Sequence, residues 1–324
     1  MSQTRIEWAT TVWNPVTGCT PVSEGCRNCY AARFARRLAG RCGYPEDEPF
    51  RVTLHPERLR EPLKWKKPRR VFVCSMGDLF HELVEEKFIA KIFAIMDLTK
   101  KHTYCLLTKR PERAFQLLSS EDFQFYIGWF QSQAVREFKL PEPENTEQWQ
   151  WPFSNVWIGV TAENQEMADR RIPVLLQIPA AVRFVSCEPL LGPINLREVK
   201  VGSNGYGLFF KVDTLTGWAH GYNEKTGHIK VSRNDEFGRI HWVICGGESG
   251  PNARPCHLDW VRSLRDQCQA AEVAFFFKSW GEHGPAYGHG KLAGIENVMV
   301  KMGKKKAGRL LGGRMWDEVP GVTL

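Results

Sequence analysis

The sequence predicts an α/β fold, a complete or incomplete (β/α) barrel of about six to seven parallel strands with a β-hairpin insertion. Three observations predict it. Short, continuous apolar runs recur along the 324 residues, as suits strands buried on both faces. Segments of helical period lie between several of them, and strand alternating with helix is the mark of a parallel sheet. No G-x-G-x-x-G follows the first strand and no Walker lysine motif occurs, which turns the pattern away from a fingerprinted nucleotide-binding sheet.

Taken in order, the strands are predicted at Ala9–Trp13, Arg70–Cys74, Thr103–Leu107, Asn155–Val160, Val182–Cys187, Ile240–Cys245 and Val273–Phe277. Helices are predicted at Asn28–Ala39, Glu85–Thr99, Pro111–Leu118, Asn164–Leu176 and Leu258–Ala271. In the second of these, Phe88, Ile89, Ile92, Phe93 and Met96 share one side. Pro111 suits a first helical turn, and Asn164 suits a cap for the residues after it. Two stretches break the rhythm. Residues 119–153 are aromatic and acidic, and residues 197–239 alternate in the manner of a β-hairpin. Both are expected as insertions in one domain spanning 1–324, with a basic C-terminal extension over 285–324.

Composition narrows the class. Hydrophobic residues make up 43% of the chain, enough for a large core. No apolar run approaches the ~20 residues of a membrane span, and the first residues lack the apolar stretch of a signal peptide. A cytoplasmic protein without membrane contact is expected. The net charge is +8. Lys64, Lys66, Lys67, Arg69 and Arg70 form one basic group, and Lys301, Lys304, Lys305, Lys306, Arg309 and Arg314 another. Nucleic acid is the commonest partner for such charge, and a solvated surface is the plain alternative.

Of ten cysteines, several sit in apolar runs as core thiols, among them Cys74, Cys105 and Cys245. Only Cys19, Cys26 and Cys29 cluster, as C-x6-C-x2-C followed at once by Tyr30. Three thiolates can hold three irons of a [4Fe–4S] cluster and leave the fourth open to a second molecule. The predicted strand ends carry one ionisable group each: Asp78, Lys109, Glu163, Glu188, Glu248 and Lys278. In a parallel barrel, active groups collect at that end, and the cysteine loop, following the first strand, belongs there too.

Strand, cysteine loop ending C-x-x-C-aromatic, helix, then further β/α units resembles the radical S-adenosylmethionine (SAM) superfamily, although the usual first spacing there is C-x3-C. More closely, the chain resembles the phage-associated three-Cys-motif family, a radical-SAM-like group. The resemblance runs through Thr11-Val-Trp-Asn-Pro-Val-Thr-Gly-Cys19, Cys74-Ser-Met-Gly-Asp-Leu-Phe-His81, Leu107-Thr-Lys-Arg-Pro111, Gly159-Val-Thr-Ala-Glu-Asn164, Val185-Ser-Cys-Glu-Pro-Leu-Leu-Gly192, Gly246-Gly-Glu-Ser-Gly250, Phe277-Lys-Ser-Trp-Gly281 and Gly312-Gly-Arg-Met-Trp-Asp317. It implies a [4Fe–4S] cluster on the three cysteines, SAM on the open iron, and a 5′-deoxyadenosyl radical that abstracts hydrogen. It also implies a flavodoxin- or ferredoxin-like electron donor, a three-Cys-motif partner protein, and phage or prophage encoding in a bacterial host.

Superfamily members bind the SAM amine with a Gly-Gly-Glu-like turn after the second strand. Met76-Gly-Asp78 stands there, preceded by Ser75, whereas the literal Gly-Gly-Glu at 246–248 follows the sixth strand. Glu163, Asn164 and Ser186 are candidates for the ribose, Lys109 for the SAM carboxylate and Glu188 for further cofactor contact. Glu248 and Lys278 are catalytic candidates. Cys74, Cys187 and Cys245 lie at strand ends, where a hydrogen-donating cysteine would sit, but strand alternation turns Cys187 and Cys245 away from the side of Glu188 and Glu248.

Two other chemistries fit parts of the sequence. The three cysteines with Cys42 or His55 could close a structural zinc site in a nucleic-acid-binding protein. Asp78, Glu163, Glu188 and Glu248 could hold divalent metal ions in a hydrolase or nuclease.

Overall fold

Continuous apolar runs became the strands of a parallel sheet in the computed structural model, which describes residues 4, 6–140, 150–203, 208–223, 229–233, 238–286 and 298–321. In chain order the first elements are β1 (Thr11–Trp13), β2 (Val16–Thr17), α1 (Tyr30–Arg37), β3 (Thr53–Leu54), β4 (Arg70–Val73), α2 (Glu86–Leu98), β5 (Thr103–Thr108), α3 (Pro111–Leu118) and α4 (Glu121–Phe138). Then come β6 (Val156–Thr161), α5 (Gln165–Gln177), β7 (Val182–Cys187), β8 (Val199–Ser203), β9 (Leu208–Asp213), β10 (Trp218–Asn223) and β11 (Ile229–Arg233). The last are β12 (Trp242–Gly246), α6 (Leu258–Ala270), β13 (Ala274–Ser279), β14 (His283–Pro285), β15 (Met299–Lys301) and α7 (Lys304–Ala307). Seven strands form an all-parallel sheet in the order β1-β4-β5-β6-β7-β12-β13. It is the sheet of a mixed α/β protein with the strand number expected of an incomplete barrel.

The chain divides into two compact units, residues 1–22, 29–159 and 178–182, and residues 23–28, 160–177 and 183–324. In the first, β1 lies beside β4 with Trp13 opposite Val73, and β4 beside β5 with Phe72 opposite Cys105. Trp13, Val71, Tyr104, Ile89, Ile92 and Met96 are fully buried. At about 25 cal/mol per Å² of apolar area, such side chains supply most of the stabilisation. The aromatic stretch from 119 is mainly α4, which Ser120 caps by accepting from the Phe123 N–H at 3.3 Å. Its buried residues, Phe123, Ile127, Phe130 and Ala134, face α2, and the Phe123 and Phe93 rings meet at 5.8 Å. Residues 141–149 lie outside the described residues.

In the second unit β12, buried along its whole length, lies between β7 and β13. The expected hairpin over 197–239 is a larger thing, a four-stranded antiparallel sheet in the order β11-β10-β9-β8. Asp213 turns the chain between β9 and β10 by accepting from the N–H groups of Leu215 and Thr216 at 3.1 and 3.2 Å. The later part of the basic segment packs, over residues 311–317. Leu311 and Trp316 are buried, Phe277 N–H donates to the Trp316 carbonyl at 2.9 Å, and Phe276 pairs with Asp317 in an antiparallel bridge. No helix among the described residues is long and apolar enough to cross a membrane.

Candidate functional site

In the first unit the approach to Cys19 is set by Gly18. It bridges to Gly77, its N–H donates to the Met76 carbonyl at 2.9 Å, and its φ is +84°. A Cβ there would stand 2.1 Å from the Arg51 carbonyl oxygen, so only glycine fits. Cys19 is half-buried, and its Sγ accepts from Arg110 Nη1 at 3.3 Å.

Arg110 is buried and heavily bonded. It donates to Glu82 Oε2 at 3.0 Å and Thr20 Oγ1 at 2.8 Å, and lies 3.5 Å from Asp78 Oδ2. Burial opposes its charge, but Cys19 and Asp78 outweigh burial and hold the guanidinium pKa above its ordinary value. Asp78 is fixed in turn by Thr108 Oγ1 at 2.8 Å and by the N–H groups of Lys109 and Phe80, each at 3.0 Å. Lys109 therefore reaches Asp78 through its backbone. The strand-end carboxylate orients an arginine, and the arginine faces the cysteine.

Ser75 Oγ donates to Asn14 Oδ1 at 3.2 Å, and the Ser75 carbonyl accepts from the Tyr30 hydroxyl. Cys29 is the residue before α1 and packs against a small cluster of Ala31, Ala35, Tyr44 and Met76.

Cys26 belongs to the second unit, at the end of a single 3-10 turn, Glu24–Cys26. The segment 23–28 is gripped at several points. Gly25 N–H donates to Glu163 Oε1 at 3.2 Å, with no room for a Cβ, which would come within 2.9 Å of that carboxylate. Glu163 is fully buried, and its Oε2 accepts from Arg171 Nη1 at 2.8 Å. Asn28 Nδ2 donates to Glu248 Oε2 at 2.9 Å and to the Asn252 carbonyl at 2.7 Å. Arg254 makes a forked pair with Glu248, Nη2 to Oε1 at 2.7 Å and Nε to Oε2 at 3.0 Å, and reaches Glu24 Oε1 with Nη1 at 2.7 Å. Burial would raise the Glu248 pKa, but the hydrogen bonds from Arg254 and Asn28 and the Arg254 charge prevail and lower it.

The remaining predicted positions have local partners. Glu188 pairs with Lys278. Asn164 Oδ1 accepts from the Met167 N–H at 3.0 Å, the helix cap expected from sequence. Ser186 is buried in β7, and its carbonyl accepts from Ala162 N–H at 3.0 Å. Cys187 and Cys245 are register partners inside the sheet. Burial pushes the thiols of both upward, and that of Cys74 to about 12.

The structure thus joins Cys19 to Asp78 through Arg110, and the Cys26 turn to Glu163 and Glu248. Glu188 and Lys278 form a pair of their own. Sequence reasoning missed Arg110, Arg171 and Arg254, the cations that organise these carboxylates. Arg110 and Arg254 each precede a proline, which biases the preceding residue toward extended backbone, and that was the one local signal.

Cys19, Cys26 and Cys29 are each half-buried, and a thiolate is the donor type of a four-iron cluster. Among the described residues no group of three or more His, Cys, Asp or Glu side chains is arranged to hold a metal ion. The other two chemistries find less. Both His55 ring nitrogens are engaged, Nε2 with Thr17 Oγ1 at 2.8 Å and Nδ1 with Glu57 at 3.3 Å. Each of Asp78, Glu163, Glu188 and Glu248 is occupied by a cation. The basic groups are partly structural as well. Arg69 stacks over Trp65, Arg314 over Trp316, and Arg309 pairs with Asp317.

No curated protein and no solved structure matches the chain. A family model described as Protein of unknown function (DUF5131) matches residues 3–320, so the chain belongs to that family.

Proposed function

We propose that Cys19, Cys26 and Cys29 hold a [4Fe–4S] cluster whose open iron takes SAM, which makes the protein a radical-SAM-like enzyme. The observation that carries this reading is the contrast among the ten cysteines. Six are buried, while the three of C-x6-C-x2-C are half-buried and sit where strand-end side chains fix the backbone around them. When bound, the cluster and SAM supply one-electron cleavage of a sulfonium and a 5′-deoxyadenosyl radical.

The chain's own residues have separate tasks. Arg110, oriented by Asp78, presents its guanidinium to the Cys19 sulfur. Glu163, Glu248, Arg254 and Asn28 fix the turn that carries Cys26. Glu163 and Glu248, cofactor and catalytic candidates by sequence, are reassigned here to positioning, because their oxygens are committed to Arg171 and Arg254. Lys109, whose backbone rather than its ammonium bonds Asp78, remains the candidate for the SAM carboxylate, with Ser75 a further cofactor candidate and Asn164 and Ser186 candidates for the ribose. A flavodoxin- or ferredoxin-like donor would supply the electron, and nucleic acid or a nucleotide-derived molecule is the substrate that the net charge favours.

The test is the iron, sulfide and zinc content of anaerobically prepared protein beside Cys26→Ala. About four irons and four sulfides per chain are expected, lost in the variant. Stoichiometric zinc without sulfide, persisting after anaerobic reconstitution, would overturn the assignment.

A further inference from the structure

Helix α1 is amphipathic in an unusual sense. The face turned to the protein is small: Ala31 and Ala35 are buried, at 4% and 0% exposure, against Tyr44 and Met76. The face turned to solvent carries the large rings. Tyr30 is 50% exposed and Phe34 48%, and four residues apart they lie one above the other on the helix. A surface helix normally buries such rings and exposes alanine.

Arginines surround those rings. From Tyr30 to Arg41 the chain holds Arg33, Arg36, Arg37 and Arg41 and no acidic residue. Arg36, Arg37 and Arg41 are exposed, and among the described residues neither Arg36 nor Arg37 has a carboxylate partner. Arg37 stands three residues after Phe34, on the same face. Arg41 Nη2 donates to the Arg37 carbonyl at 2.8 Å, which keeps that guanidinium at the helix end. The acidic run Glu46–Glu48 meets the far end of the segment, beside Gly40, and Asp47 there already pairs with Arg51. The Tyr30 ring is anchored by its hydroxyl on the Ser75 carbonyl, so it is held in place while half its surface faces water.

We infer that this face of α1 docks single-stranded nucleic acid, with unpaired bases stacking on Phe34 and Tyr30 and the backbone phosphates meeting Arg37 and Arg41 beside them and Arg36 on the adjoining side of the helix. Stacked aromatics interleaved with cations suit a strand whose base faces are free, and they do so without sequence preference. A duplex hides those faces and offers only phosphates. An acidic peptide would satisfy the arginines and leave the rings uncovered. The inference names the substrate class for the cluster site proposed above and rests on that reading for its catalytic meaning, since α1 starts directly after Cys29. The binding itself requires no cluster.

The experiment is fluorescence anisotropy of a labelled 20-nucleotide single-stranded DNA with the full-length protein. Three variants are compared with the parent: Phe34→Ala, Arg36→Ala with Arg37→Ala, and Lys305→Ala with Lys306→Ala on the other basic segment. Each sample is checked by thermal melting and assayed for iron. Phe34→Ala is expected to weaken binding about five-fold or more. The double arginine variant should weaken it about ten-fold and flatten the slope of log K against log salt by roughly 1.4, two phosphates at 0.7 each. The lysine variant should bind like the parent. Unchanged melting and iron content in the α1 variants separate this face from the cluster assignment. No binding at low salt, equal or tighter binding of a 20-base-pair duplex, or a loss confined to the lysine variant would each overturn the inference.

Discussion

Arg171 and Glu163 share a bond sealed from solvent. Nη1 donates to Oε2 at 2.8 Å, with 3% and 0% of the two side chains exposed. Removing one partner of such a pair strands the other charge in the interior. Glu163→Ala should lower the unfolding free energy by about 3–5 kcal/mol, read from urea midpoints, and Glu163→Gln by less, because an amide oxygen still accepts from Arg171. A midpoint for the alanine variant within error of the parent would show that the pair contributes nothing.

The Cys26 turn approaches Glu163 through a glycine that has no space to grow. Gly25→Ala should force the carboxylate or the turn aside at a cost of about 1–3 kcal/mol. If the three cysteines hold iron, the same variant should take up less of it on anaerobic reconstitution. Normal iron content with normal stability would mean that the turn tolerates displacement.

Acid should act first through histidines. His55, His81 and His102 are buried, and burial, chiefly, pulls each below the ordinary value of 6.5. His81 Nδ1 accepts from the Leu83 N–H at 3.2 Å, which leaves Nε2–H to face Thr20 Oγ1 at 2.9 Å in the neutral ring. Between the lowered folded pKa and 6.5 the unfolded chain binds more protons than the folded one, so stability falls as pH falls through that window. The melting temperature should drop between pH 7.5 and 5.5, and His81→Asn should reduce the drop.

Glu248 governs a lower window. Its folded pKa lies below the ordinary 4.5, so its contribution is complete above 4.5 and is lost as pH falls toward the folded value. The stability difference between the parent and Glu248→Gln should be constant from pH 7 to about 5 and shrink below that. A difference that stays constant down to pH 3 would remove Glu248 from the clamp.

Thiol reactivity offers an independent check. In cluster-free, reduced protein, alkylation should reach Cys42 readily and Cys19, Cys26 and Cys29 more slowly. The six buried cysteines should react only after denaturation. Burial pushes Cys105 and Cys256, like Cys74, up to about 12, so the reactive thiolate is scarce even if a reagent enters. Mass spectrometry of native and denatured samples reads the count directly, and early labelling of Cys74, Cys187 or Cys245 would reopen the case for a hydrogen-donating cysteine.

Where the chemistry was local, the sequence was legible. Val182–Cys187 and Pro111–Leu118 are predicted end to end, because an unbroken apolar run and a proline at the first helical position define their own limits. The strand expected at Ile240–Cys245 begins two residues later, since the Ile240 and His241 N–H groups bond to Thr214 and Arg183 before the ladder starts. The stretch from 197 reads as a hairpin, because alternation marks strands without counting them. The arginines were illegible for a different reason. Arg254 finds Glu24 across 230 positions and Arg110 finds Cys19 across 91, and no local pattern encodes a pairing made by the tertiary fold. For the same reason the strand-end carboxylates can be read from the sequence while the arginines that pair with them cannot.

Strand β13 closes the parallel order, and the outer side of such a strand is a row of unspent N–H and C=O groups. Residues 316–318 occupy that row, with the Glu318 side chain also accepting from Phe275 N–H at 2.9 Å and its carbonyl from Trp242 Nε1 at 2.9 Å. They serve as a guard against self-association. A chain cut before Trp316 would carry an open template for strand addition between copies, and its failure would appear as aggregation before any loss of chemistry.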